Sequence, residues 1–330
     1  MINKKLYTLA FGQILMLMFL IACGGPTPPA DATVNGVSKV DRENGNAELS
    51  VSALEADGSV RLSGELSNPT ADVNQPGFTV EPGVCGGSGE ITSLGPVTAA
   101  LTFDATPSLT SNCRGNGCPT IPNDPFDENG DTERRQGGLD FIERMQSDAQ
   151  IAVSYFNEDT GFVRVQDFIN DKDVLNQAVQ TATSEEAIGG GTNLWNASIE
   201  AIDLLSTTND ENRIAIIFTD GGDTTRADPR RVEVAASQAG VRVFYIGLGE
   251  TTNKEAMQNI ASATDPEGLF ALSENPLDLI EAFEGVANSS QASGCIDLGF
   301  SPIPPSGQTM TGSLSFTIDG GQFTSDYKVT

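Results

Sequence analysis

The chain predicts an α/β fold: a doubly wound, mostly parallel sheet, with a smaller β-sandwich-like domain built from the flanking segments. Three observations lead there. Through the middle of the chain, apolar runs rich in Val, Ile and Phe, such as Ile214-Ala215-Ile216-Ile217-Phe218, alternate with amphipathic helical patterns. That alternation describes buried parallel strands covered by helices on both faces. The two flanks carry instead short strand-like pieces separated by Gly, Pro and Asn turns.

Taken in order, residues 1–22 hold Lys4 and Lys5 and then an apolar stretch from Ile14 to Ile21. This predicts a secretory signal, too short for a membrane span. Leu20-Ile21-Ala22-Cys23 resembles the lipobox of bacterial lipoproteins, which implies cleavage before Cys23 and lipid on its sulfur. Gly24 follows the cysteine where Asp would imply retention, so by resemblance to Gram-negative sorting the expected place is the outer membrane, facing the periplasm or the cell surface. Residues 23–36, with three prolines, read as the lipidated Cys and a flexible tether.

Residues 37–95 form a β-rich flank with strands expected over 47–54 and 59–64, and turns at Asp57-Gly58, Asn68-Pro69 and Gln75-Pro76-Gly77. The α/β unit occupies 96–291. Its strands are expected over 97–104, 150–156, 162–168, 213–219, 241–247 and 268–272, with helices near 131–147, 171–183, 194–206, 229–239, 253–264 and 276–289. The C-terminal flank, 292–330, has a strand over 312–318 before Asp319-Gly320-Gly321. Neither flank is long enough for a sandwich alone, so a shared one, with the α/β unit inserted, is expected.

Four cysteines remain beyond Cys23, and export places them in an oxidising compartment. Cys113 and Cys118 enclose the flexible Arg114-Gly115-Asn116-Gly117, which would leave Cys85 with Cys295. Three pairings are formally possible. A four-cysteine zinc site competes with them, against the single close pair where structural zinc sites use two.

The whole chain carries a formal charge of −27, and loss of Lys4 and Lys5 with the signal leaves 16 basic against 45 acidic residues, or −29. Nucleic acid and anionic lipid are poor partners for that surface, so contact with the membrane is expected through the lipid anchor only. Histidine is absent, which excludes a Ser-His-Asp triad and His-zinc hydrolysis. Gly189-Gly190-Gly191-Thr192 lacks the Lys-Ser/Thr of a phosphate loop. No enzymatic activity is expected.

The chemistry concentrates in three polar segments: Asp104-Ala105-Thr106-Pro107-Ser108 and Thr219-Asp220-Gly221, each ending an apolar strand, and Gly191-Thr192-Asn193. In an open α/β sheet ligands collect beyond the carboxyl ends of the strands, so Asp104 and Asp220 can meet across 116 positions. Oxygen donors of this kind suit Mg2+, Ca2+ or Mn2+. Helix capping and loop ties are the alternative use of such residues.

The order and form of these segments resemble the metal-ion-dependent adhesion site of von Willebrand factor type A domains: Asp-x-Ser-x-Ser after the first strand, Thr in a later loop, Asp after the fourth strand. The resemblance covers roughly 97–290. It implies that the hydroxyls of Thr106, Ser108 and Thr192 ligate the cation, while Asp104 and Asp220 act directly or through water. Thr106 in place of Ser keeps the hydroxyl and adds a methyl group, and Pro107 restricts φ. The family also implies a protein ligand offering an acidic side chain to the metal, and movement of the last helix coupled to the site. The expected function is an extracytoplasmic, membrane-anchored adhesion module; the alternative is an envelope assembly protein using the domain without a metal bridge. Trp195 is expected in the core, and the acidic run from Asn123 to Asp131 as a solvated loop.

Overall fold

The computed structural model describes residues 26–87, 89–110, 123–249, 253–264 and 267–329. The expected signal and the cysteines at 23, 113 and 118 lie outside these residues.

The α/β unit is built on β6 (Val97–Asp104), whose eight residues are all buried. Beside it lie β9 (Asn212–Thr219), β10 (Arg242–Leu248) and β11 (Leu269–Ser273) on one side, and β7 (Gln150–Asn157) and β8 (Gly161–Ile169) on the other. All pairings are parallel except β7 with β8. The alternation of side chains along a strand sends Val97, Ala99, Leu101 and Phe103 to one core, and Ala100 to the other.

Helices α1 (Glu133–Arg144), α2 (Lys172–Ala182) and α6 (Leu279–Gln291) cover the first core. Helices α3 (Leu194–Ser206), α4 (Arg230–Ala239) and α5 (Lys254–Ala263) cover the second, where Trp195 packs edge-on against Tyr245, centroids 6.2 Å apart. Glycine inside a helix costs roughly 1 kcal/mol against alanine, yet α1 carries two. Close approach explains them: a Cβ on Gly137 would lie 2.3 Å from Phe283, and one on Gly138 2.6 Å from Phe103. Bare backbone lets α1 settle on the Phe103–Phe218–Phe283 cluster, whose ring centroids are 6.0–6.5 Å apart.

Strands from both flanks share one β module with its own core. In it β1 (Asp31–Asp41), β2 (Asn46–Leu54), β12 (Ala292–Ser301) and β4 (Thr79–Val84) form one layer. The other layer is β3 (Ser63–Ala71), β13 (Met310–Ile318) and β14 (Gly321–Val329), with β5 (Glu90–Ser93) bridging between β3 and β12. A Cys85–Cys295 disulfide ties the two flanks. Asp319 (φ 47°) and Gly320 (φ 82°) close the β13–β14 hairpin with the left-handed backbone that a type I′ turn needs.

Three expectations for the flanks need correction. The segment expected as a tether becomes strand β1 from Asp31, because backbone pairing to β2, and through Val37 to Phe270 of β11, holds a sequence poor in large apolar residues. The strand expected over 59–64 begins at Ser63; before it, only Val60 bridges to Leu54. Asn68-Pro69 is a bulge inside β3 and not a turn. Asn68 takes φ 51°, the register to β13 shifts there, and a bulge tolerates the missing proline N–H.

The unit and the β module meet without a linker, since α6 runs directly into β12. The C-terminal turn of α6 is polar but buried, and Ser289 and the Ser290 carbonyl are tied by hydrogen bonds to neighbouring elements. Ser289 bonds Ser50 (2.9 Å), Asn35 donates to Ser50 (3.1 Å) and Ser52 (2.8 Å), and Asn212 donates to the Ser290 carbonyl (2.9 Å).

Candidate metal centre

The carboxyl ends of β6 and β9 bring Asp104 and Asp220 together, with Thr106 and Ser108 on the turn that follows β6. Asp104 is fully buried. Its Oδ2 accepts from Thr219 Oγ1 at 2.6 Å, while its Oδ1, equally buried, has no partner. Asp220 accepts from Ser108 Oγ (2.9 Å) through Oδ1 and from Asn123 Nδ2 (2.8 Å) through Oδ2. The hydroxyls of Thr106 and Ser108 are 3.1 Å apart.

The third segment is delivered by backbone hydrogen bonds. Gly189 N donates to Ala105 O (3.0 Å), Glu158 N to Gly191 O (2.7 Å), and Thr224 N to Thr192 O (2.8 Å). Bare backbone matters again, since a Cβ on Gly191 would lie 2.5 Å from Glu158 Oε2 and 2.6 Å from Thr224 Oγ1. The Thr192 hydroxyl faces the Asp220-Gly221 turn, 3.5 Å from where a Cβ on Gly221 would be. Of the five residues singled out in the sequence, Asp104, Thr106, Ser108 and Asp220 interact with one another at the mouth of the sheet, and Thr192 lies beside the Asp220-Gly221 turn.

Burial, and then the neighbouring Asp220, push the Asp104 carboxyl up to about 7. Burial also raises Asp220, against the hydrogen bonds from Asn123 and Ser108. Two carboxyls held so close and so dry resist joint ionisation unless a cation is present. Behind them lies a second buried pair, Arg134 Nη1 to Asp124 Oδ2 at 2.7 Å, with both side chains wholly inaccessible. Arg134 favours ionisation of both site carboxyls. Three carboxylates and one guanidinium leave two net negative charges, the complement of one divalent ion. The unpartnered Asp104 oxygen, the hard oxygen donors and this charge balance all fit such a cation.

Asn123, Thr219 and Arg134 were not among the expected site residues. Thr219 stood in a recognised segment, but nothing about Asn123 or Arg134 in the sequence marks its role. Asp124 corrects the expectation of a solvated acidic run. It is buried, and its carboxylate accepts from Glu133 N (2.9 Å) at the start of α1. Asp127 to Gly130 are exposed, with Asp127 accepting from Asn129 N and Asp131 N, both at 2.8 Å.

The von Willebrand factor type A domain family matches residues 134–284, a stretch that includes Thr192 and Asp220 and begins after the Asp104 segment. No curated protein matches the chain. Among solved structures, proximal thread matrix protein 1 from the mussel byssus, with a zinc-occupied MIDAS motif, is similar at 21% identity over 61% of this chain and 47% of that one, TM-score 0.48. The chain therefore spans about half the length of that structure. A von Willebrand factor type A protein from Catenulispora acidiphila is 14% identical over 79% of this chain and 74% of its own, TM-score 0.45. A mutant of the PilB minor pilin from Streptococcus sanguinis is 11% identical over 78% and 77%, TM-score 0.44. A von Willebrand factor type A domain is present in the chain.

Proposed function

We propose that the chain is an extracytoplasmic adhesion module, lipid-anchored at Cys23 to the outer membrane, that grips a protein partner through a divalent cation, Mg2+ foremost, and is not an enzyme. Domains of this family serve protein–protein interaction, in adhesion or assembly, and often carry a divalent cation. One observation carries the reading: the buried Asp104 Oδ1 has no hydrogen-bond partner, beside Asp220 and the hydroxyls of Thr106 and Ser108. Asp104, Thr106, Ser108, Thr192 and Asp220 would hold the ion. Three neutral hydroxyls and only two carboxylates would leave it electrophilic enough to accept a carboxylate from the partner. The protein's part is to fix the donors and to keep the carboxyls dry.

Calorimetric titration of the chain from Gly24 onward, without the lipid, tests this with Mg2+, Ca2+ and Mn2+. One saturable site is expected, absent in an Asp104→Ala/Asp220→Ala variant that still folds. At a hundredfold excess over Kd, binding should add about 2.7 kcal/mol to stability. A wild-type chain that takes up none of the three ions would overturn the reading.

A further inference from the structure

We propose that the groove between the first turn of α1 and the β11–α6 turn is a second docking site, one that takes an extended peptide whose aliphatic side chain is flanked by Lys or Arg. The groove encloses about 860 Å3. Its apolar surface comes from Pro125, Phe126, Pro276 and Leu277. Leu277 is 75% exposed, more than the other large exposed apolar residues among the described residues, which range from 42 to 54%. A leucine left that bare invites a covering side chain.

These groups are held in place. The Arg134 guanidinium lies over the Phe126 ring, 5.6 Å from its centroid, and is itself pinned by Asp124. Asn275 caps the turn by accepting from Leu277 N at 3.1 Å, with Pro276 restricting the backbone between them. A fixed apolar surface loses little entropy when it is covered.

The charge around it selects the partner. A helix N-terminus ordinarily favours anions, but at α1 the Asp124 carboxylate already accepts from Glu133 N, and Thr132 from Arg135 N. The rim that remains is acidic: Asp127, Asp131 and Glu133. Arg135 pairs with Asp131 at 3.4 Å and offsets part of this field. Asp127 is held in its ionised form by backbone N–H groups. Glu133 is raised by burial and by the three neighbouring aspartates, a sign of the negative potential pooled there. Cationic side chains would relieve that potential while an aliphatic one covers Leu277 and Phe126. The groove adjoins the metal centre through Asn123, but its chemistry requires no metal.

The probe is a fluorescein-labelled peptide, Gly-Lys-Leu-Lys-Leu-Lys-Gly, titrated into the chain from Gly24 in excess EDTA. Control peptides carry Ser for Leu, or Glu for Lys. Anisotropy gives Kd, and amide shifts of the 15N-labelled protein give the location. Expected are shifts confined to residues 124–133 and 275–278, and a roughly tenfold or greater loss of affinity for the Ser peptide and in Leu277→Ser, the scale of one leucine leaving its contacts. Leu277→Met should retain binding, and the Glu peptide should not bind. Equal binding of the Ser peptide, unchanged affinity in Leu277→Ser, or shifts spread over the acidic surface would overturn the proposal. So would binding that needs added Mg2+, because that assigns the peptide to the metal centre. Failure of cation uptake by the Asp104 site would leave this result untouched.

Discussion

Arg134→Met should separate the two electrostatic roles of the buried pair behind the candidate metal centre. The substitution removes a guanidinium wholly inaccessible to water and strands the Asp124 carboxylate, 2.7 Å from its former partner. Removing one member of a buried pair costs about 3–5 kcal/mol. Asp124 would keep the backbone N–H of Glu133 at 2.9 Å and the longer one at position 134, 3.4 Å, so the lower end, about 3 kcal/mol, applies. Urea unfolding followed by circular dichroism and by fluorescence of Trp195, the single tryptophan, reads this loss. Asp124→Asn in the same chain removes the stranded charge while leaving an oxygen to cap α1. The double variant should therefore be more stable than the sum of the single losses implies, by about 2 kcal/mol. Cation affinity should move the other way in Arg134→Met, since the site loses the positive charge that opposes an incoming cation. A loss below about 1 kcal/mol, or a double variant equal to the sum of its singles, would refute the account of a coupled buried pair.

Two further outcomes are expected. The Cys85–Cys295 bond closes a loop of 210 residues, for which the chain-entropy relation gives about 5 kcal/mol, so Cys85→Ser/Cys295→Ser should shift the urea midpoint strongly. A shift worth under about 1 kcal/mol would show that strand pairing alone holds the flanks together. Without metal, the folded chain holds a proton on Asp104 up to about pH 7, where the unfolded chain releases it near 3.9. The stability linked to that proton is present below about pH 4 and is lost as pH rises through about 7. A cation must displace the same proton, so Mg2+ affinity at pH 6 should be roughly tenfold weaker than at pH 8; calorimetry showing equal affinities would contradict it.

The α/β unit was legible because its strands are buried on both faces, so each reads as a continuous apolar run, and its helices bury one stripe. The expected bounds of its strands agree with the structure within a residue or two. The flanks obey a different rule. In β1, burial comes from the strands on either side, and a sequence such as Thr33-Val34-Asn35-Gly36 carries no period that distinguishes it from a tether. Pro69 argued for a turn by composition, but a bulge accommodates it.

The same distinction runs through the candidate metal centre. Asp104 and Asp220 could be placed beforehand because any residue at the carboxyl end of a parallel strand faces the crevice. Asn123 and Arg134 reach the site from the long β6–α1 connection and from the first turn of α1, where position depends on tertiary packing. The net charge of −27 is equally uninformative at this scale, because it describes a solvated surface. On the proposed reading, the charges that bear on the cation are the four dry ones among the described residues, and one of these, Arg134, is positive. Were it absent, three buried carboxylates would face one divalent ion with a charge left over. On the proposed reading, Arg134 in α1 would set the net charge of the candidate site, alongside the oxygen donors at the strand ends.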